Sequence, residues 1–207
     1  MIALLTPLMA MLGPLAVLLL MAVLFAETGL LVGFFLPGDS LLFAAGVLVA
    51  TGAMHLPLLV VAAAAFVAAA VGDQVGYLIG RRLGPRVFNR PRSRFFSPAH
   101  AGRAQAFFGR YGPRAVILAR FVPVVRTFTP VVAGVGEMPR ARFTAYNLVG
   151  AALWAVGLLV AGYFLGGIPL IAGHIELFAI GMVVLSLVPA TVAVVHRRYV
   201  GRVAVAV

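Results

Sequence analysis

Residues 113–139 read PRAVILARFVPVVRTFTPVVAGVGEMP, and the number of times this stretch crosses a bilayer decides the fold. It is apolar enough to enter a membrane, yet Pro123 and Pro130 interrupt it, Arg120 and Arg126 charge it, and Gly134 and Gly136 close it. A regular spanning helix needs about 20 consecutive apolar residues, which this stretch lacks. Read as a re-entrant hairpin broken near Pro123 and Gly134, it enters and leaves on one face. Such backbone is tolerated at membrane depth only where protein buries it or it lines a cavity. Charge parity favours the hairpin. It keeps Arg114, Arg140 and Arg142 on the side of residues 81–114, which hold nine of the sixteen arginines. A loop that basic belongs in the cytoplasm, and a single crossing would translocate Arg140 and Arg142.

Working outward, residues 3–25 supply one apolar span, and Glu27 ends an uncharged run that begins at Met1. The start is not basic, so the sequence predicts a retained first span rather than a cleaved leader. From Ser40 to Gly72 no residue carries a formal charge, but Gly52, His55 and Pro57 divide the run. Residues 27–54 therefore read as a first hairpin folded at Pro37 and Gly38, and residues 57–80 as a full span. Residues 81–112 read as a polar cytoplasmic loop with an amphipathic helix, punctuated by Pro85, Pro91 and Pro98. Spans at 143–165 and 173–195 close the chain, with His196, Arg197, Arg198 and Arg202 beyond them. The expected fold is an all-α polytopic membrane protein, 1–207 as a single membrane domain. It has about four spanning helices and two oppositely oriented re-entrant helical hairpins, with both termini and the arginine loop cytoplasmic. Opposed hairpins are the layout of an inverted repeat with a site near the midplane. An aromatic-x-Pro element at Phe35–Pro37 and again at Phe121–Pro123 is the trace of that repeat.

Composition agrees. The chain is 63% hydrophobic and 10% charged, against the roughly 25% charged residues that a soluble surface requires. All of the basic charge is arginine, and its crowding between apolar segments points to anionic lipid headgroups rather than nucleic acid. With no cysteine, disulfides and thiol chemistry are excluded. His55, His100, His174 and His196 are scattered near expected loops, so no metal site is predicted.

Only five acids exist, and two of them, Glu27 and Asp39, flank the first hairpin. A carboxylate at membrane depth takes a proton or finds a cation, because its isolated charge costs several kcal/mol. Arg120 and Arg126 cannot deprotonate and must have anionic partners, either these carboxylates or a substrate. Two guanidiniums in a partly dry cavity suit a phosphate, whose oxygens match their planar forks. The alternative is structural: Glu27–Arg120 and Asp39–Arg126 as ion pairs that lock the hairpins together. Asp73 reads as a partner for an arginine of the loop, while Glu137 and Glu176 fall at membrane boundaries. The glycines of Gly72-x-x-x-Gly76-x-x-x-Gly80 read as helix-packing positions. Trp154 belongs to packing or to a cavity wall.

In order along the chain come Glu27, Phe35-x-Pro37-Gly38-Asp39, Gly72-Asp73-x-x-Gly76-Tyr77-x-x-Gly80 and Phe108-x-Arg110-Tyr111-Gly112. Arg120-Phe121-x-Pro123-x-x-Arg126, Ala133-Gly134 and Asn147-x-x-Gly150-x-x-x-Trp154 complete the set. This ordered set resembles the DedA family, also called the SNARE-associated or VTT-domain family, over about residues 25–166. The resemblance implies facing re-entrant hairpins, lipid flippase or scramblase activity, and functional roles for Glu27, Asp39, Arg120 and Arg126. Bacterial members are implicated in recycling undecaprenyl phosphate and in moving phospholipids, with dependence on the proton gradient.

The expected function is a proton-coupled transporter of the bacterial inner membrane that returns undecaprenyl phosphate to the inner leaflet. Arg120 and Arg126 bind the phosphate, Glu27 and Asp39 carry the protons, and no cofactor is required. Sodium in place of protons and a homodimer are left open. The nearest rival is a flippase or scramblase for phosphatidylethanolamine or other phospholipids. An intramembrane enzyme would need Asp39 and Asp73 to share a proton, or a phosphatase nucleophile or metal. A non-transporting assembly factor would use the charges only as struts.

Overall fold

A computed structural model describes residues 15–30, 36–88, 106–166 and 168, and every regular element among them is helical. Helix α1 is Ala16–Gly29, α2 is Gly38–Ala50 and α3 is Leu58–Phe88. After a short helical piece at 106–111 come α4, Arg114–Ala119, and α5, Pro123–Val135. The last described helix, α6, runs Arg140–Gly166 and contains a π turn at Ala152–Val156. Among the described residues, two segments are long and apolar enough to cross a membrane, Leu58–Gly84 and Arg140–Gly166, each of 27 residues. Outward-facing residues such as Leu59, Val67, Leu153 and Phe164 are large and apolar, which suits contact with lipid rather than water.

The two prolines of the aromatic-x-Pro elements both stand at helix starts. Pro37 caps α2 and Pro123 opens α5, positions where proline's missing N–H goes unneeded, and each helix is 13 residues long. Each short helix then packs on a long one through glycine. Gly46 and Gly162 bring the backbones of α2 and α6 together at Leu159 and Phe43, and Gly166 lies on Val47. Gly80 and Gly134 do the same for α5 and α3 at Val131 and Tyr77. Helix α1 packs on α3 where Gly29 meets Gly72 and the Thr28 hydroxyl reaches the Ala69 carbonyl at 3.4 Å. The glycine spacing at 72, 76 and 80 is thus a packing device, as its pattern predicts.

Three expectations change. Gly134 is not a break: it sits inside α5, where a Cβ would collide with the Tyr77 carbonyl oxygen. The interruption in 113–139 lies instead at Arg120–Val122, between α4 and α5. Residues 81–88 are not loop, because α3 continues to Phe88. Arg81 is tied there by its guanidinium, which donates to the Tyr77 hydroxyl at 3.0 Å and the Met138 carbonyl at 3.3 Å. Glu27 does not begin a hairpin arm either, since α1 runs through it to Gly29. The 173–195 span, most of the 3–25 span, and residues 89–105 of the arginine loop lie outside the described residues.

Gly134→Ala is expected to destabilise the protein by about 1–3 kcal/mol, the usual cost of overpacking, because the obstacle is helix backbone. Thermal denaturation in detergent measures it, and an unchanged midpoint would show that α3 and α5 can separate freely.

Candidate functional site

Helix ends deliver the charges. Glu27 stands in the last turn of α1, Asp39 in the first turn of α2, and Arg126 in the first turn of α5. The Arg126 guanidinium spans both acids: its Nη1 donates to Asp39 Oδ1 at 2.6 Å and its Nη2 to Glu27. Side chains of Arg126 and Glu27 are 8% and 2% exposed and that of Asp39 14%, so all three are largely withdrawn from solvent. Asp39 also sits where the N-terminus of α2 favours a negative charge.

Arg120 occupies a separate slot between the two long helices. Its Nη2 donates to Asp73 of α3 and to Asn147 Oδ1 of α6 at 2.6 Å. Asn147 turns its other end to the Ala70 carbonyl at 3.0 Å, which fixes its oxygen toward the arginine. The arginine stem passes over Gly150, where a Cβ would stand 2.8 Å from Arg120 Cδ. Asp73 and Asn147 are both buried, so this is a closed ionic unit.

Trp154 joins the two halves. Its indole N–H donates at 2.7 Å to Asp39 Oδ1, the oxygen that also receives Arg126. Its ring centroid lies 4.6 Å from the Arg126 guanidinium carbon and 5.8 Å from that of Arg120, within range of a cation–π contact. The π turn that carries Trp154 is a form that recurs at functional sites. Among the described residues, neither Arg120 Nε nor Arg126 Nε has an acceptor, although both are buried. Two guanidiniums therefore lie against one aromatic ring and keep donors to spare. No group of three or more His, Asp or Glu side chains is placed to hold a metal ion among the described residues.

Of the four residues singled out in the sequence, Glu27, Asp39 and Arg126 meet, while Arg120 stands apart with Asp73. Asp39–Arg126 forms as expected, whereas the partner of Glu27 is Arg126 and not Arg120. Asp73 pairs with Arg120 rather than with an arginine of the loop. Asp39 and Asp73 answer to different arginines, so they do not form the shared-proton pair an aspartyl enzyme needs. Pro37, Gly38 and Pro123 mark helix starts, while Glu137 is exposed at the turn before α6. Glu176 falls outside the described residues. Asn147, which enters the sequence reading only within a motif, is a further member of the site. A polar amide three residues before Gly150 and seven before Trp154, within an apolar helix, is the signal that marks it.

The model of the VTT domain matches residues 36–164. The chain is 42% identical over 187 residues to Protein DedA of Escherichia coli K12, covering 90% of this chain and 85% of that protein. It is 44% identical over 176 residues to an uncharacterized membrane protein of Mycobacterium leprae, with 85% and 78% covered. To the inner membrane protein YqjA of Escherichia coli K12 it is 41% identical over 153 residues, with 72% and 67% covered. No solved structure gives a significant match. The matched region contains Asp39, Asp73, Arg120, Arg126, Asn147 and Trp154, and the chain belongs to the VTT-domain, or DedA, family of membrane proteins.

Proposed function

We propose that this protein is a proton-coupled lipid-carrier transporter, a flippase that moves undecaprenyl phosphate across the bacterial cytoplasmic membrane. The observation that carries the reading is the clasp on Arg126. Two acids on the ends of two short helices hold one buried guanidinium, which keeps an unused donor and lies against the same aromatic ring as a second guanidinium. A purely structural pair would need only one acid. Protons arriving at Glu27 and Asp39 weaken their hold on Arg126 and leave its fork open to a phosphate. Proton release on the other side restores the clasp and expels the headgroup, while the polyprenyl tail stays in lipid between helices. In this reading α2 and α5 are the inner arms of two hairpins that dip from opposite faces, with the termini and residues 81–114 cytoplasmic. The basic membrane-side segment suits attraction of an anionic lipid.

Arg126→Lys tests the assignment. Lysine keeps the charge but not the bidentate fork, so the protein should fold while losing about tenfold or more in affinity for undecaprenyl phosphate in nanodiscs. Undiminished binding, with the clasp geometry kept, would remove Arg126 as the phosphate ligand.

A further inference from the structure

The charge balance of the site bears on the headgroup it takes, an inference that rests on the transport reading above. The described network contains three carboxylates, Glu27, Asp39 and Asp73, against two guanidiniums, Arg120 and Arg126. No other described charged side chain is buried, and Trp154 and Asn147, which complete the contacts, are neutral. With all three acids ionised, the centre closes with one negative charge in excess.

The two halves do not let go alike. Arg126 is held by acids on the ends of α1 and α2, two short helices. Arg120 is held by Asp73 and Asn147 on α3 and α6, and Asn147 is itself pinned to Ala70. Asp73 and Arg120 thus form a neutral unit built into the two long helices. We infer that this unit persists through the cycle, and that the site opened by protons on Glu27 and Asp39 carries one net positive charge and accepts a phosphate headgroup as a monoanion. One proton on the pair would leave the centre neutral, with nothing to attract an anion. Two protons admit one monoanion. A dianion would bury an uncompensated charge, which costs several kcal/mol in a dry site. A phosphomonoester lipid therefore enters as its hydrogen phosphate form, and a phosphodiester enters as it is. Asp73 is then a specificity residue, not a strut, because it cancels the second guanidinium.

The test compares two lipids doped into phosphatidylcholine nanodiscs holding the full-length protein. Phosphatidylglycerol is a phosphodiester and stays a monoanion, whereas phosphatidic acid is a monoester that gains its second charge above about pH 6. Titration of Glu27, Asp39 or any other protein group acts on both lipids and cancels in their affinity ratio. Between about pH 7 and pH 9 the ratio of phosphatidic acid to phosphatidylglycerol should fall by about tenfold per pH unit, following the surviving monoanion. In Asp73→Asn the fall should be lost and the dianion favoured, since the open site gains a second positive charge. A constant or rising ratio in the wild-type protein overturns the charge match, whether or not Asp73→Asn folds. If both lipids bind with equal pH dependence and Arg126→Lys abolishes both, the charge match fails and transport by Arg126 stands. If neither lipid binds at any pH, a site open to phosphate monoanions is overturned, while binding of undecaprenyl phosphate still decides the transport reading.

Discussion

Arg126→Met should lower stability by about 3–5 kcal/mol, the cost of leaving buried charge without its partner. Methionine matches much of the arginine stem, so packing against Trp154 survives, but Glu27 and Asp39 lose the cation they share. Because both acids depend on one guanidinium, rescue needs both to change. Arg126→Met with Asp39→Asn should remain unstable through Glu27, which is 2% exposed. The triple variant Glu27→Gln, Asp39→Asn, Arg126→Met should recover the melting temperature and still bind no phosphate lipid. Melting and lipid retention measured together separate these outcomes. A single Arg126→Met variant that melts with the wild-type protein would mean that the clasp is not closed at rest.

The second large effect belongs to the other half. Arg120→Met leaves Asp73 buried between α3 and α6 with only Asn147 nearby, and again about 3–5 kcal/mol should be lost. Here one change suffices. Asp73→Asn should restore stability to Arg120→Met, yet do nothing for Arg126→Met. Residues in one ionic unit couple in double-mutant cycles, while separate units add. A coupling free energy should therefore appear for Arg120 with Asp73 and for Arg126 with Glu27 or Asp39. Equal cross-rescue between the halves would show a single undivided network and would remove the reason for treating Arg120 as fixed.

Much of this site is legible from the chain alone, because ionisable residues in an apolar sequence are few and each must find a partner. Burial costs select Glu27, Asp39, Arg120 and Arg126 without any knowledge of helix packing. Partner choice is a different matter. Asp39 and Arg126 are 87 residues apart in the chain, and only the docking of α2 on α6 and of α5 on α3 brings them to one face. Asp73 was placed near the arginine loop by its position in the span, but the crossing of α3 with α6 gives it to Arg120. Arginine density made residues 81–88 look like loop, although Arg81 can satisfy its donors while its backbone stays helical. Gly134 shows a further ambiguity. A glycine in a broken apolar stretch can end a helix or let another approach, and only the Tyr77 carbonyl against it decides.

The π turn in α6 has a consequence for how that helix is indexed. Residues of a regular α-helix advance by about 100° each, so from Asn147 the nineteen steps to Gly166 would leave the two residues about a quarter-turn apart. A π turn absorbs one residue without advancing the helix beyond it. Gly166 returns to the azimuth of Asn147, and the ionic slot and the glycine seam with α2 share one side of a single rod. A residue deleted inside Ala152–Val156 would convert the turn to regular helix and leave both ends in phase. The same deletion a few residues later would swing Gly162 and Gly166 away from Phe43 and Val47. The helix is therefore tolerant of a length change at the one place where its tryptophan is aimed, and intolerant of it on either side.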